Sequence, residues 1–306
     1  MAESPNHLMA LIQALEQRAS PDELIGYCLP LVSAQALANS VSKAGQTALH
    51  VALQYGHQPS VIAAILAAAP DAAKVQDSNG MTPLHLSLYK DHPSETILSI
   101  LAANPAAATL VDKDGDSVLH LACYKGPFAT KVVNQIIQAN PSAACLIESD
   151  GNTPLLFALK YRQPKENVLA ILECHSAAGM ADSVDGMTPL HMALYKQHEE
   201  AVVMAVLAAH PASTATCDED GDTPLHLAVY KCHSANVVQS VLDANPDAAI
   251  MQCKTGELPL YWALLHNYSP AVVDEIKATM PPELAQSMVV AKPFGVNNFD
   301  QHVMAA

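Results

Sequence analysis

Aromatic residues are scarce in this chain. Only 5% of its 306 residues are Phe, Trp or Tyr, so a core built around large rings is excluded. Half of the residues are hydrophobic, and the interior must therefore be assembled from Leu, Val, Ile and Ala. Charge is sparse as well, at 15% against roughly 25% for an average soluble domain. A surface so poor in charge suggests area covered by a partner, although alanine enrichment yields the same figure. The seven cysteines, at 28, 123, 145, 174, 217, 232 and 253, include no C-x-x-C pair and keep no fixed spacing. Scattered thiols of this kind read as reduced, in cytoplasm or nucleus. The start, Met1-Ala-Glu-Ser-Pro-Asn-His, has no basic segment, and no apolar run reaches about 18 residues. The longest apolar stretch, Val61 to Pro70, is the length of one helix. Neither a leader nor a membrane span is expected. The net charge of −15 argues against nucleic-acid phosphate and anionic lipid as main partners.

Catalytic signatures are missing too. There is no Gly-rich phosphate loop and no G-x-S-x-G, and no nucleophile, base and orienting group share a recognisable spacing. The reading is therefore non-catalytic, with no cofactor.

What the chain does have is a period. Gly221-Asp-Thr-Pro-Leu-His226 has counterparts at Gly45, Gly80, Gly115, Gly151, Gly186 and Gly256, separated by 35, 35, 36, 35, 35 and 35 residues. A fixed period of this size means stacked copies of one supersecondary unit. Within a copy the chemistry is legible. The glycine serves a turn, Thr223 is an N-cap and Pro224 takes the first helical position. A first helix then runs to about Lys231, burying Leu225, Leu227 and Ala228. Ser234 caps a second helix whose Val237, Val238, Val241 and Leu242 form an apolar stripe, and Asn245-Pro246 ends it.

The motif Thr-Pro-Leu-His, recurring in register over roughly residues 41 to 280, resembles the ankyrin-repeat family. The resemblance implies an all-α solenoid of stacked helix-turn-helix units joined by short β-turn or hairpin connections. These copies are two residues longer than the usual unit, with one extra residue between the helices and one around the Pro-x-Ala-Ala that follows the second. The expected domains are an N-terminal helical cap (1–44), six repeats (45–255), a degenerate seventh acting as C-terminal cap (256–291) and an irregular tail (292–306). Two helices are expected in the cap, one with Leu8, Leu11, Ile12 and Leu15 on a face and one starting at Ser20-Pro-Asp-Glu. Repeat four departs from the pattern, with Leu156 at the histidine position, His175-Ser176 at the stop and Gly179 beyond. In the tail, Phe294 and Phe299 are anchors either for folding back or for docking.

For function the resemblance implies protein binding along a concave groove, by a scaffold or adaptor. The alternative is a permanent structural subunit of a large assembly. The informative row lies at the end of the first helix: Tyr55, Tyr89-Lys90, Tyr124-Lys125, Lys160-Tyr161, Tyr195-Lys196 and Tyr230-Lys231. Tyrosines there offer flat amphipathic contact area, and acidic tips at Asp114, Asp116, Asp150, Asp185, Asp220 and Asp222 favour an extended, partly basic protein segment bound to a free monomer. A residue repeated in every copy also suits packing against the next copy, and both readings stay open. The positions just after each glycine vary (Gln46, Met81, Asp116, Asn152, Met187, Asp222, Glu257) and are candidates for specificity. The aspartate pairs 114/116 and 220/222 read as solvated tips. His50, His85, His120, His191 and His226 are the motif histidines, which by resemblance bond the neighbouring turn. A second row, His57, His92, His198 and His233, recurs between the helices. Equivalent histidines about 10 Å apart cannot share a zinc ion, so no metal is expected.

Overall fold

The computed structural model of the protein describes residues 5–39, 42–125, 130–174 and 186–290. It divides into two compact units, Met1–Val184 and Asp185–Ala306. In the first, α1 (Pro5–Glu16) is followed by α2 (Pro21–Glu23), a π turn (Leu24–Cys28), a 3-10 turn (Leu29–Leu31) and α3 (Ala34–Ala38). Four helix pairs come next: α4 (Ala48–Gln54) with α5 (Pro59–Ala68), α6 (Pro83–Tyr89) with α7 (Ser94–Ala103), α8 (Val118–Lys125) with α9 (Thr130–Ala139), and α10 (Pro154–Lys160) with α11 (Lys165–Cys174). The second unit holds α12 (Pro189–Tyr195) with α13 (Glu200–Ala209), α14 (Pro224–Tyr230) with α15 (Ala235–Ala244), α16 (Pro259–Leu265) with α17 (Pro270–Ala278), and then α18 (Pro282–Val290).

Within each unit the first helices form one row and the second helices another. Helices α1, α4, α6, α8 and α10 lie side by side, as do α5, α7, α9 and α11; α12, α14 and α16 face α13, α15 and α17 in the same way. The core runs between the rows. It is aliphatic, as composition required: Leu84, Leu88, Ile97 and Ile100 have no exposed surface, nor do Leu190, Leu194, Val203 and Val206. The described residues are helical apart from turns and a single antiparallel bridge, Val111 to Ser117, so the connections are turns rather than hairpins.

Two details go beyond the spacing argument. The Pro-x-Ala-Ala after α5, α7, α9 and α15 is itself a 3-10 turn, as at Pro70–Lys74, Pro105–Thr109 and Pro246–Ile250, and Pro211–Ala215 after α13 takes the same form with Ser213 and Thr214. The paired alanines, Ala72 and Ala73 or Ala107 and Ala108, are fully buried. Before the first motif there are three helices rather than two. Ser33 caps α3 by accepting the Ala36 N–H (3.2 Å), and α3 packs against the 3-10 turn of the first full copy. The readings on Gly126-Pro-Phe-Ala129, His175 to Gly179, Asp185, Phe294 and Phe299 lie outside the described residues.

Candidate functional site

The motif histidine works in two directions. Thr47, Thr82, Thr188 and Thr223 each cap a helix in a reciprocal box with the histidine three residues on. In the first, His50 N–H donates to Thr47 Oγ1 (3.4 Å) while Thr47 N–H donates to His50 Nδ1 (3.2 Å). With Nδ1 accepting, Nε2 carries the proton and donates to the Met81 carbonyl of the next copy (3.2 Å). His120 reaches the Asn152 carbonyl in the same way (3.1 Å), His191 that of Asp222 (3.2 Å) and His226 that of Glu257 (3.3 Å). Burial holds His85, His120, His191 and His226 down at about 4, so they are neutral at pH 7. In repeat four, Leu156 returns no bond to Thr153, although its N–H still donates to Thr153 Oγ1 (3.3 Å).

The second histidine row has a role that spacing did not reveal. His57 Nε2 lies 2.8 Å from the Leu15 carbonyl, His92 Nε2 2.9 Å from that of Leu53, and His233 Nε2 2.8 Å from that of Leu194. Each adds a second donor to a carbonyl at the C-terminal end of the preceding first helix, where Leu15, Leu53 and Leu194 also accept the backbone N–H of Arg18, Gly56 and Gln197. Gln163 substitutes for histidine at Cys123 (2.8 Å), and Tyr268 at Ala228 (3.1 Å).

At the opposite end, successive turn tips join backbone to backbone. Lys113 N–H donates to Asn79 O (2.9 Å), Ser149 to Asp114 O (3.0 Å) and Lys254 to Asp220 O (2.9 Å). A Cβ on Gly80 (φ +76°) would stand 3.0 Å from the Asp112 Cα, so close stacking and positive φ both require glycine there.

The residues after the glycines are half-buried. Their carbonyls accept from the motif histidines, as described for Met81, Asn152, Asp222 and Glu257. Asp116 and Asp222 are thus not the solvated tips that position suggested. Burial first, and then Asp112, Glu148, Asp114 and Asp150, push the Asp116 carboxyl up to about 7. Burial followed by Asp218, Asp220 and Glu257 does the same to Asp222, also to about 7. Asp114 and Asp220 are exposed, as expected. Met187 lies half-buried at the same register.

At the ends of the first helices the tyrosines and lysines interleave. In the first unit Tyr89, Tyr124 and Tyr161 are 45%, 46% and 38% exposed, with Tyr55 half-buried ahead of them. Lys125 Nζ lies 4.0 Å from the Tyr89 ring centroid and 5.5 Å from that of Tyr124, while Lys90 lies 5.8 Å from Tyr89. Lys160 lies 5.9 Å from Tyr161. Phe157 fills the row where the sequence order is reversed: it meets His120, Tyr124 and Tyr161 edge to face at 5.2, 6.5 and 5.5 Å. In the second unit Lys231 stands over Tyr195 (4.3 Å) and Tyr230 (4.8 Å), Lys196 lies 5.3 Å from Tyr195, and Tyr230 meets Trp262 at 5.0 Å. Trp262 and His266 extend this face and carry no motif signal. Only the helical register, three positions before and one after Tyr230's counterpart Leu265, could have found them. Lys125 and Lys231 therefore lie on aromatic faces of the preceding copy, while Lys90, Lys160 and Lys196 lie beside the tyrosine of their own, and the row is at once lateral packing and open surface.

Two rows of paired helices, with a buried Thr–His box recurring at four of the first helices, define a helical-repeat protein. Residues 11–106 and 164–251 match the family model described as ankyrin repeats (3 copies), together more than half the chain, and the chain belongs to that family. A solved ankyrin repeat protein from Leishmania major is similar over 93% of this chain and 97% of its own, with a TM-score of 0.56 and 15% identity. That likeness concerns the fold. No curated protein matches. Ankyrin repeats are generally protein–protein interaction modules. Among the described residues no helix is long and apolar enough to cross a membrane.

Proposed function

We propose that the chain is a non-catalytic scaffold that binds an extended segment of another protein across the exposed tyrosine–lysine face. One observation carries this reading: in the first unit Tyr89, Tyr124 and Tyr161 stand in register on successive copies, each more than a third exposed. Exposed rings on a rigid row lose little entropy on contact, and interfaces favour them. The lysines over the rings hold them in place. The tips beside them carry Asp112, Asp114, Asp116, Glu148 and Asp150, whose mutual repulsion a basic segment would relieve.

The test is selection of peptide ligands from a display library on the full-length protein. Binding is then compared between wild type and the triple variant Tyr89→Ala, Tyr124→Ala, Tyr161→Ala, with circular dichroism to establish folding. The expected result is enrichment of peptides containing Lys or Arg and loss of their binding in the folded variant. Ligands that bind both proteins equally would remove this face from consideration.

A further inference from the structure

We propose that Asp222, His226 and Cys253 bind a zinc-type divalent ion that fastens the sixth motif copy to the seventh. One ligand atom from each of these residues lies within 4.8 Å of the other two. Donors on one tetrahedral zinc ion, with bonds near 2.0–2.3 Å, stand about 3.3–3.8 Å apart. Closing the present arrangement onto an ion thus takes side-chain shifts of about 1 Å or less. Equivalent positions of successive copies do not come together in this set. Here three different positions converge: the residue after a glycine, the motif histidine, and a turn residue of the following copy.

Cys253 is the unusual member. Its position holds Asp77, Asp112, Glu148 and Asp218 in other copies, and there the carboxylate caps its own turn. Asp112 accepts the N–H groups of Asp114 (3.0 Å) and Asp116 (2.9 Å), and Asp218 those of Asp220 (3.0 Å) and Asp222 (2.9 Å). The nearest analogue of the cluster, Asp116 with His120 and Glu148, is unsuited for this reason. Glu148 accepts Asp150 N–H (2.7 Å), Asn152 N–H (2.9 Å) and the Asn152 amide. Cys253 makes no such bonds to its turn among the described contacts. Its sulfur, 9% exposed at the residue level, lies 3.0 Å from Thr255 Oγ1 and 3.3 Å from Glu257 Oε2. The Glu257 carboxylate thus borders the sulfur from outside the three-residue group, where it can take up the thiol proton on its way to solvent.

The remaining chemistry is consistent. Thiolate, imidazole and carboxylate together select zinc or cobalt(II) over magnesium or calcium. Cys253 gives up its proton to solvent on binding, and the ion–sulfur bond replaces S–H. His226 Nε2, now turned to the Glu257 carbonyl at 3.3 Å, would take the ion. Its proton then resides on Nδ1, which exchanges the bond it accepts from the Thr223 N–H (3.2 Å) for one it donates to the Thr223 hydroxyl oxygen, 2.9 Å away. Asp218 and Asp220 add negative potential around the site, with Lys254 the cation beside Asp218.

The experiment uses untagged full-length protein, stripped of metal by a chelator, kept reduced without added thiol and titrated with Co²⁺. The expected result is a near-ultraviolet thiolate-to-cobalt charge-transfer band that saturates at a single equivalent and is displaced by Zn²⁺. The band should be absent in Cys253→Ser, whose metal-free fold is checked by circular dichroism. No band in wild type overturns the proposal. So does a band that persists in Cys253→Ser, since the ion would then sit on another thiol such as Cys217 or Cys232. If Cys253→Ser does not fold, Asp222→Asn decides: cobalt affinity should fall about tenfold or more, and an unchanged affinity refutes the site.

Discussion

Lys125 places its ammonium 4.0 Å from the centroid of the Tyr89 ring, which belongs to the preceding copy. A cation over a partly exposed ring contributes about 0.5–1 kcal/mol. A double-mutant cycle on Lys125→Gln and Tyr89→Leu, read by urea unfolding, should return a coupling of that size. A coupling indistinguishable from zero would show that the two side chains merely lie near one another.

His92→Ala should destabilise the protein by about 0.5–1.5 kcal/mol, because the buried Leu53 carbonyl loses its side-chain donor and keeps only the Gly56 N–H (3.1 Å). His92→Gln should recover most of that loss, since Gln163 performs the equivalent task at Cys123 (2.8 Å). If glutamine fares no better than alanine, the ring's packing matters and the hydrogen bond does not.

Acid should weaken the fold over a defined window. The buried motif histidines have their pKa lowered from 6.5 to about 4 in the folded chain. The unfolded chain therefore takes up protons first, so stability is full above pH 6.5 and is lost as pH falls toward about 4. Asp116 acts in the opposite sense. Its folded pKa is raised from 3.8 to about 7 by burial and by Asp112, Glu148, Asp114 and Asp150, so its contribution is full below pH 3.8 and is lost as pH rises through about 7. Asp116→Asn, which copies Asn152 of the next repeat, should stabilise the protein at pH 8 and make no difference below about pH 4. Urea midpoints of both proteins from pH 4 to 8 test both statements.

Arg162 occupies the left-handed region (φ 52°) just past α10, where Gly56 (φ 69°) sits after α4. Arg162→Gly should stabilise the protein by up to about 1 kcal/mol by removing the Cβ clash, even though glycine is the more flexible residue when unfolded. A lower thermal midpoint would mean that the arginine makes contacts worth more than the strain.

Leu190→Ala should cost about 2–5 kcal/mol, as truncation of a fully buried leucine does. Met9 is 59% exposed on α1, and Met9→Ala should cost well under about 1 kcal/mol. Equal losses in chemical denaturation would contradict the burial pattern described for α1.

The sequence by itself determined whatever depends on neighbours three or four residues apart. Thr223 caps, Pro224 starts, Val237, Val238, Val241 and Leu242 face inward, and Asn245-Pro246 stops, because helical geometry converts such spacings directly into caps and faces. The period then announced that copies stack. Only the tertiary structure decided what crosses from copy to copy. His92 finding the Leu53 carbonyl, Lys125 covering Tyr89, Asp116 half-buried beside Glu148 and Asp150, and Cys253 meeting Asp222 and His226 all join residues 27 to 39 positions apart. Their relation is set by the rotation and rise of one copy on the next. No short-range spacing encodes that geometry, and packing of the buried aliphatic rows is what fixes it.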